Sequence, residues 1–208
     1  MTAEQSLDRR VHREALLAPE GPVGRTTGWW AMVLFISTEA ATFASAIAAY
    51  FYLRFAKAAP WPPPGEKLPD LVVPSIATGI LVLSCIPMVL AVRAARRGGG
   101  GASGLATVVT LLAGAAFVAL QVVDWVSEWP SSTLSKDAYG SLFYSVTGLH
   151  TVHVVVGLGM LLFLVGEAAV GRTSRGNGGS VSIVALYWYF MAVAAVAVYV
   201  TVYLTPYL

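Results

Sequence analysis

The sequence predicts an all-α integral membrane protein, a bundle of five transmembrane helices with the N-terminus inside and the C-terminus outside. Three observations carry this. Of 208 residues, 57% are hydrophobic and only 12% charged, about half the charge of an ordinary soluble domain. Five apolar stretches each reach the roughly 20 residues that a helix needs to cross a hydrocarbon core about 30 Å thick. The Lys and Arg residues fall unevenly between the two sides that five crossings define. High hydrophobicity excludes intrinsic disorder, and a net charge of +2 with no broad basic face excludes nucleic acid as a partner. A single cysteine, Cys85, forms no internal disulfide and no Cys-x-x-Cys motif.

The expected spans are 28–53, 71–92, 104–123, 138–166 and 181–203. In lipid each backbone N–H and C=O pairs within its own segment, so these are helices, and the alternation that a barrel strand would show is absent. Pro60, Pro62, Pro63 and Pro64 close the first loop. The run Gly98–Gly101 is expected to break the chain after span two, Pro130 with Ser131 and Ser132 after span three, and Gly176, Gly178 and Gly179 after span four. Pro87 lies within span two and is expected to kink it. Residues 1–27 mix Arg9, Arg10, Arg13 and Arg25 with Glu4, Asp8, Glu14 and Glu20 and lack the apolar core of a signal peptide. They read as a cytoplasmic tail, and 28–208 as the membrane domain.

Nine basic residues (the four tail arginines, Arg93, Arg96, Arg97, Arg172 and Arg175) share one side, and Arg54, Lys57, Lys67 and Lys136 the other. The richer side is the inner one. Trp29 and Trp30 then mark the inner interface, and Trp61, Trp125, Trp129, Tyr203 and Tyr207 the outer one.

Ionisable groups inside a span are expensive and usually partnered. Glu39 lies about 11 residues into span one, roughly 16 Å deep. His150 and His153 reach a similar depth in span four from the opposite side. Their i, i+3 spacing places both rings on one face, and Gly157 continues that face with room for close packing. Glu39 is expected to meet one of these histidines across a helix–helix contact. Three readings stay open: a structural hydrogen bond, a proton-linked pair, or a metal or haem site built from one acid and two imidazoles. Gln121 and Asp124 lie at the outer end of span three and are expected to be solvated there. Glu167 is expected to reach the inner headgroups, and Cys85 to pack as a small apolar residue. Tyr199, Tyr203 and Tyr207 form a stripe of packing and interface anchors. Runs of alanine (Ala40, Ala41, Ala44, Ala46, Ala48, Ala49; Ala113, Ala115, Ala116) suit docking by close van der Waals packing.

Four stretches, in order, resemble subunit III of the haem–copper oxidases (cytochrome c oxidase). The first runs from Gly28-Trp29-Trp30 through Thr38-Glu39 to Ala49-Tyr50-Phe51. The second is Leu120-Gln121-Val122-Val123-Asp124-Trp125, similar to Leu-Gln-x-x-Glu-Tyr. The third and most specific is Tyr139-Gly140-Ser141-Leu142-Phe143-Tyr144 with Thr147-Gly148-Leu149-His150-Thr151-Val152-His153-Val154. The fourth is Tyr187-Trp188-Tyr189-Phe190 leading to Tyr199 and Tyr203. Together they cover about residues 28–205. The chain resembles the short five-helix bacterial members, which lack the first two helices of longer ones. In the last helix Tyr189 stands where many members have His, Ala192 where many have Asp, and Ser182 near a usual Glu, so part of the family's polar network is missing there.

The resemblance implies a non-catalytic subunit of a respiratory complex in the bacterial plasma membrane. That complex takes electrons from cytochrome c, reduces oxygen to water and pumps protons. It implies no catalytic, cofactor or metal site in this chain, with haem and copper in partner subunits and phospholipid bound to this one. The main partner would be subunit I, then subunit II, with oxygen access and sustained proton uptake supported from this chain. Glu39, His150 and His153 match the family's midplane positions, Asp124 matches an acid at the outer end, and Tyr187, Trp188 and Tyr189 form the last-helix aromatic motif. Two rival functions are an accessory protein of a nitric oxide reductase and a small proton-coupled transporter, although the repeats common in transporters are absent.

Overall fold

A computed structural model describes residues 26–56, 61, 68–128, 138–171 and 178–207. The tail arginines, most of the proline loop, Lys57, Lys67, Trp129, Pro130, Ser131, Ser132, Lys136, Arg172, Arg175 and Gly176 lie outside the described residues. The described chain is helical and contains no strand. Helix α1 covers Thr27–Ala56, α2 Val72–Leu83, α3 Cys85–Arg96, α4 Gly100–Glu128, α5 Ala138–Ala169 and α6 Gly178–Tyr199. A widened π turn, Val200–Leu204, and a short 3-10 turn, Thr205–Tyr207, extend α6. Helices α2 and α3 count as one segment, so five helical segments among the described residues are long and apolar enough to span a membrane.

The break between α2 and α3 has a local cause. Pro87 cannot donate to the carbonyl of Leu83, and its ring crowds that carbonyl. Regular helix stops at Leu83 and resumes at Cys85, with Ser84 at φ −63° and ψ −15° between them. The direction of the crossing is kept because Ser84 stays in the helical region and Met88 N–H still donates to its carbonyl at 3.3 Å.

The glycine run breaks the chain less than expected. Gly98, at φ +75°, is the residue that turns it. Its N–H donates to Ala95 O at 3.1 Å, and Gly99 N–H donates to Ala94 O at 2.9 Å. This paired closure satisfies the last carbonyls of α3. Gly100 and Gly101 already belong to α4, and Gly178 and Gly179 to α6. In a bilayer a helix must satisfy its own backbone groups, so glycines at its ends are drawn into it.

Helix α6 is the most enclosed element and packs on α1, α2, α3 and α5, while α4 fills the space between α2, α3 and α5. Trp188 of α6 is fully buried. A Cβ at Gly114 would stand 2.5 Å from Trp188 Cη2 and 2.8 Å from Leu158 Cδ2; one at Gly157 would stand 3.0 Å from Trp188 Cζ3. The indole therefore occupies a slot that two glycines leave open, and its Nε1–H donates to Ser84 Oγ at 2.8 Å. One side chain thus ties α4, α5, α6 and the α2–α3 break together. Helix α1 is the loosest element, with Phe43 and Tyr50 its buried residues. The alanines of its docking face are mostly exposed.

Candidate functional site

Two groups of polar side chains stand out among the described residues of the spans. The first joins α1 to α5. Glu39 Oε2 lies 2.6 Å from His153 Nε2, and their side chains are 18% and 15% exposed. On its other side, His153 Nδ1 lies 2.6 Å from the carbonyl oxygen of Leu149. A carbonyl only accepts, so Nδ1 carries a proton. The short Nε2–Oε2 contact then holds one more proton, either on a neutral Glu39 donating to the imidazole or on an imidazolium donating to a carboxylate. Both placements leave the pair without net charge, which suits a site within the spans. Tyr187 of α6 donates to the carbonyl of His153 at 2.9 Å.

His150 does not join this pair. It is 2% exposed and sits edge-on between Phe43, at 6.0 Å, and Phe117, at 5.5 Å. Neither of its ring nitrogens has a hydrogen-bond partner among the described residues. The two histidines share one helix face as their spacing requires, and Phe43, 5.2 Å from the His153 ring, touches both. Among the described residues no three His, Cys, Asp or Glu side chains converge as a metal would need.

The second gathering lies at the far end of α4. Tyr203 donates to Asp124 Oδ2 at 2.5 Å, and Gln121 Nε2 reaches the same oxygen at 3.2 Å and Tyr203 Oη at 3.3 Å. Asp124 is 1% exposed and Gln121 6%, so the expectation that they are solvated is wrong. The π turn carries Tyr203 to them, and Tyr203 is itself buried rather than an interface anchor. Trp125 also turns inward, donating from Nε1 to Thr147 Oγ1 at 3.0 Å. Glu167 is 8% exposed and so is buried rather than extended to headgroups. Nearer the end of α1, Tyr50 bonds Thr205 Oγ1 at 3.1 Å and accepts from Trp61 Nε1 at 3.0 Å. Tyr207 donates to Pro69 O at 2.8 Å.

The second cluster yields a prediction. Tyr203→Phe leaves Asp124 Oδ2 with one weaker donor while changing no volume, and should destabilise the protein by about 1–3 kcal/mol. The Tyr203→Phe/Asp124→Leu double variant, with both partners apolar, should recover part of that loss. Unfolding in detergent checks this; a double variant weaker than both singles combined would contradict it.

The last-helix motif divides its work among three directions. Tyr187 faces the His153 backbone, Trp188 the glycine slot, and Tyr189 a groove on the outside of the bundle.

Taken together, these features define a multi-pass helical membrane protein whose membrane-embedded polar groups mostly fasten helices to one another. Sequence comparison makes the class specific. The cytochrome c oxidase subunit III family profile matches residues 8–207. The chain is 33% identical to the probable cytochrome c oxidase subunit 3 of Nocardia farcinica over 173 residues, 82% of this chain and 84% of the relative. It is 30% identical to the probable cytochrome c oxidase subunit 3 of Mycobacterium tuberculosis over 172 residues, again 82% and 84%. With the cytochrome c oxidase subunit 3 of Drosophila yakuba it shares 30% over 179 residues, 84% of this chain and 68% of the relative. The chain belongs to the cytochrome c oxidase subunit III family.

Proposed function

We propose that this subunit supports the oxidase by packing, with no redox centre of its own. Subunit I is its main partner and subunit II a further one, in a bacterial plasma membrane with the N-terminus inside. Haem and copper belong to the partners, and phospholipid binds to this chain. The observation that carries the reading is the use made of the polar groups. Glu39 is matched to His153, Asp124 to Tyr203 and Gln121, and Trp188 to Ser84. These contacts bind α1 and α6 to their neighbours and leave no converging set of ligands among the described residues. The Glu39–His153 pair is a strut that fastens the loosest helix. The relatives are named as oxidase subunits, which favours this reading over a nitric oxide reductase accessory or a transporter.

Purification of the tagged chain from its native membrane tests the proposal. It should bring down a haem- and copper-bearing subunit, whereas the chain expressed alone should show no Soret band. Haem bound to the isolated chain, or recovery with a nitric oxide reductase, would overturn it.

A further inference from the structure

Both ring nitrogens of His150 and Oδ1 of Asp124 are buried without a hydrogen-bond partner among the described residues. The two side chains belong to residues 2% and 1% exposed, and a buried polar group left unpaired bears the full loss of its hydration. They stand at one helix interface. Phe117, Gln121 and Asp124 are buried on one stripe of α4, and Thr147, His150 and Thr151 on one stripe of α5. Two contacts bring these stripes together. The rings of Phe117 and His150 lie 5.5 Å apart, and Trp125, the neighbour of Asp124, donates from Nε1 to Thr147 Oγ1 at 3.0 Å. Asp124 is seven residues beyond Phe117, about 10 Å along α4, with Gln121 between them.

The needs of these groups select the occupant. A neutral imidazole carries one N–H and one lone pair, so His150 needs both an acceptor and a donor. Asp124 Oδ1 needs a donor when the carboxyl is ionised and an acceptor when Oδ1 holds the proton. A cation would leave the imidazole N–H unpaired, an anion would meet the carboxyl, and an apolar molecule would satisfy none of the three atoms. The phenyl faces beside His150 accept an N–H only weakly and offer nothing to its lone pair. Water alone both donates and accepts at every one of these atoms. We propose that the α4–α5 interface is a water-binding site, with a short row of water molecules held by His150 at one end and by Asp124 Oδ1 at the other, passing Gln121. Such waters are part of the fold and join two helices where no side chain reaches across. The site goes beyond the packing role proposed above and holds whichever complex the chain joins.

Radiolysis of the intact complex in nanodiscs tests it. After transfer into oxygen-18 water, a brief X-ray pulse splits bound water into hydroxyl radicals that oxidise the side chains they touch. Peptide mass spectrometry should find the heavy oxygen on Phe117. Trp188 is equally buried and more reactive, but closed in by Gly114 and Gly157, and it should stay unlabelled. His150→Phe should bring the Phe117 label down to the Trp188 background. Asp124→Leu should lower it as well, and Asp124→Asn, which keeps a polar oxygen, should retain it. Haem bands and co-purification report that each variant is assembled. An unlabelled Phe117 in the unaltered complex, or a label that survives His150→Phe unchanged, would overturn the site. A label indifferent to Asp124→Leu would overturn the row. Should His150→Phe fail to assemble, the unaltered complex and the two Asp124 variants decide the matter.

Discussion

Gly114→Ala should destabilise the protein by about 1–3 kcal/mol, although the change adds one methyl to a helix that alanine ordinarily favours. The added carbon would enter at 2.5 Å from Trp188 Cη2 and 2.8 Å from Leu158 Cδ2, well inside van der Waals separation. Leu158 has rotamers to use, but the indole does not. It is closed in from the other side by Gly157 and pinned by its hydrogen bond to Ser84. Helix packing in lipid depends on such close contact, because burial from water drives nothing there. Trp188→Phe removes the indole atoms that the new methyl strikes and leaves only Leu158, which can turn aside. The two changes should therefore be strongly non-additive, with Gly114→Ala nearly neutral in the Trp188→Phe background. Thermal unfolding of the four proteins in one detergent measures this. Equal penalties in both backgrounds would show that the slot does not act through the indole.

Much of this architecture is legible in the chain itself. Hydrophobic length gives the five spans, and the shared depth of Glu39, His150 and His153 gives the meeting of the acid with one of the two histidines. The misread residues share a cause. Gln121 and Asp124 near a helix end suggest an interface when position along the chain is the only guide to depth. The buried residues of α4 are Gly100, Ser103, Thr107, Thr110, Gly114, Phe117, Gln121 and Asp124. They recur at alternating steps of three and four, one stripe of a helix. In lipid the polar stripe faces inward, so that period places Asp124 inside the bundle however close to the end it lies. The signal was present in the sequence. The π turn was not: nothing in Val200-Thr201-Val202-Tyr203-Leu204 announces a widened turn, which depends on tertiary contacts of Tyr203 and Thr205. The separation of His150 from His153 was equally hidden. A shared helix face fixes direction but not which ring the neighbouring helix reaches.

His153→Leu should cost about 3 kcal/mol, the upper end for a polar group left without its hydrogen-bond partner, whereas Glu39→Gln should cost no more than about 1.7 kcal/mol, the upper end for interhelical hydrogen bonds in membranes. The asymmetry follows from the proton count. With Nδ1–H held by the Leu149 carbonyl, neutral His153 presents a lone pair at Nε2, and the amide of a glutamine at position 39 can donate to it. Leucine at position 153 instead leaves the Glu39 carboxyl without the ring nitrogen it meets at 2.6 Å. The Glu39→Leu/His153→Leu protein, with both polar groups gone, should be more stable than His153→Leu alone. Helix α1 is the place to see this, since few of its other side chains are buried. Unfolding midpoints of the single and double variants in one detergent complete the cycle. Additive losses would mean that the 2.6 Å contact contributes nothing of its own, and that α1 is held by Phe43 and Tyr50 without the pair.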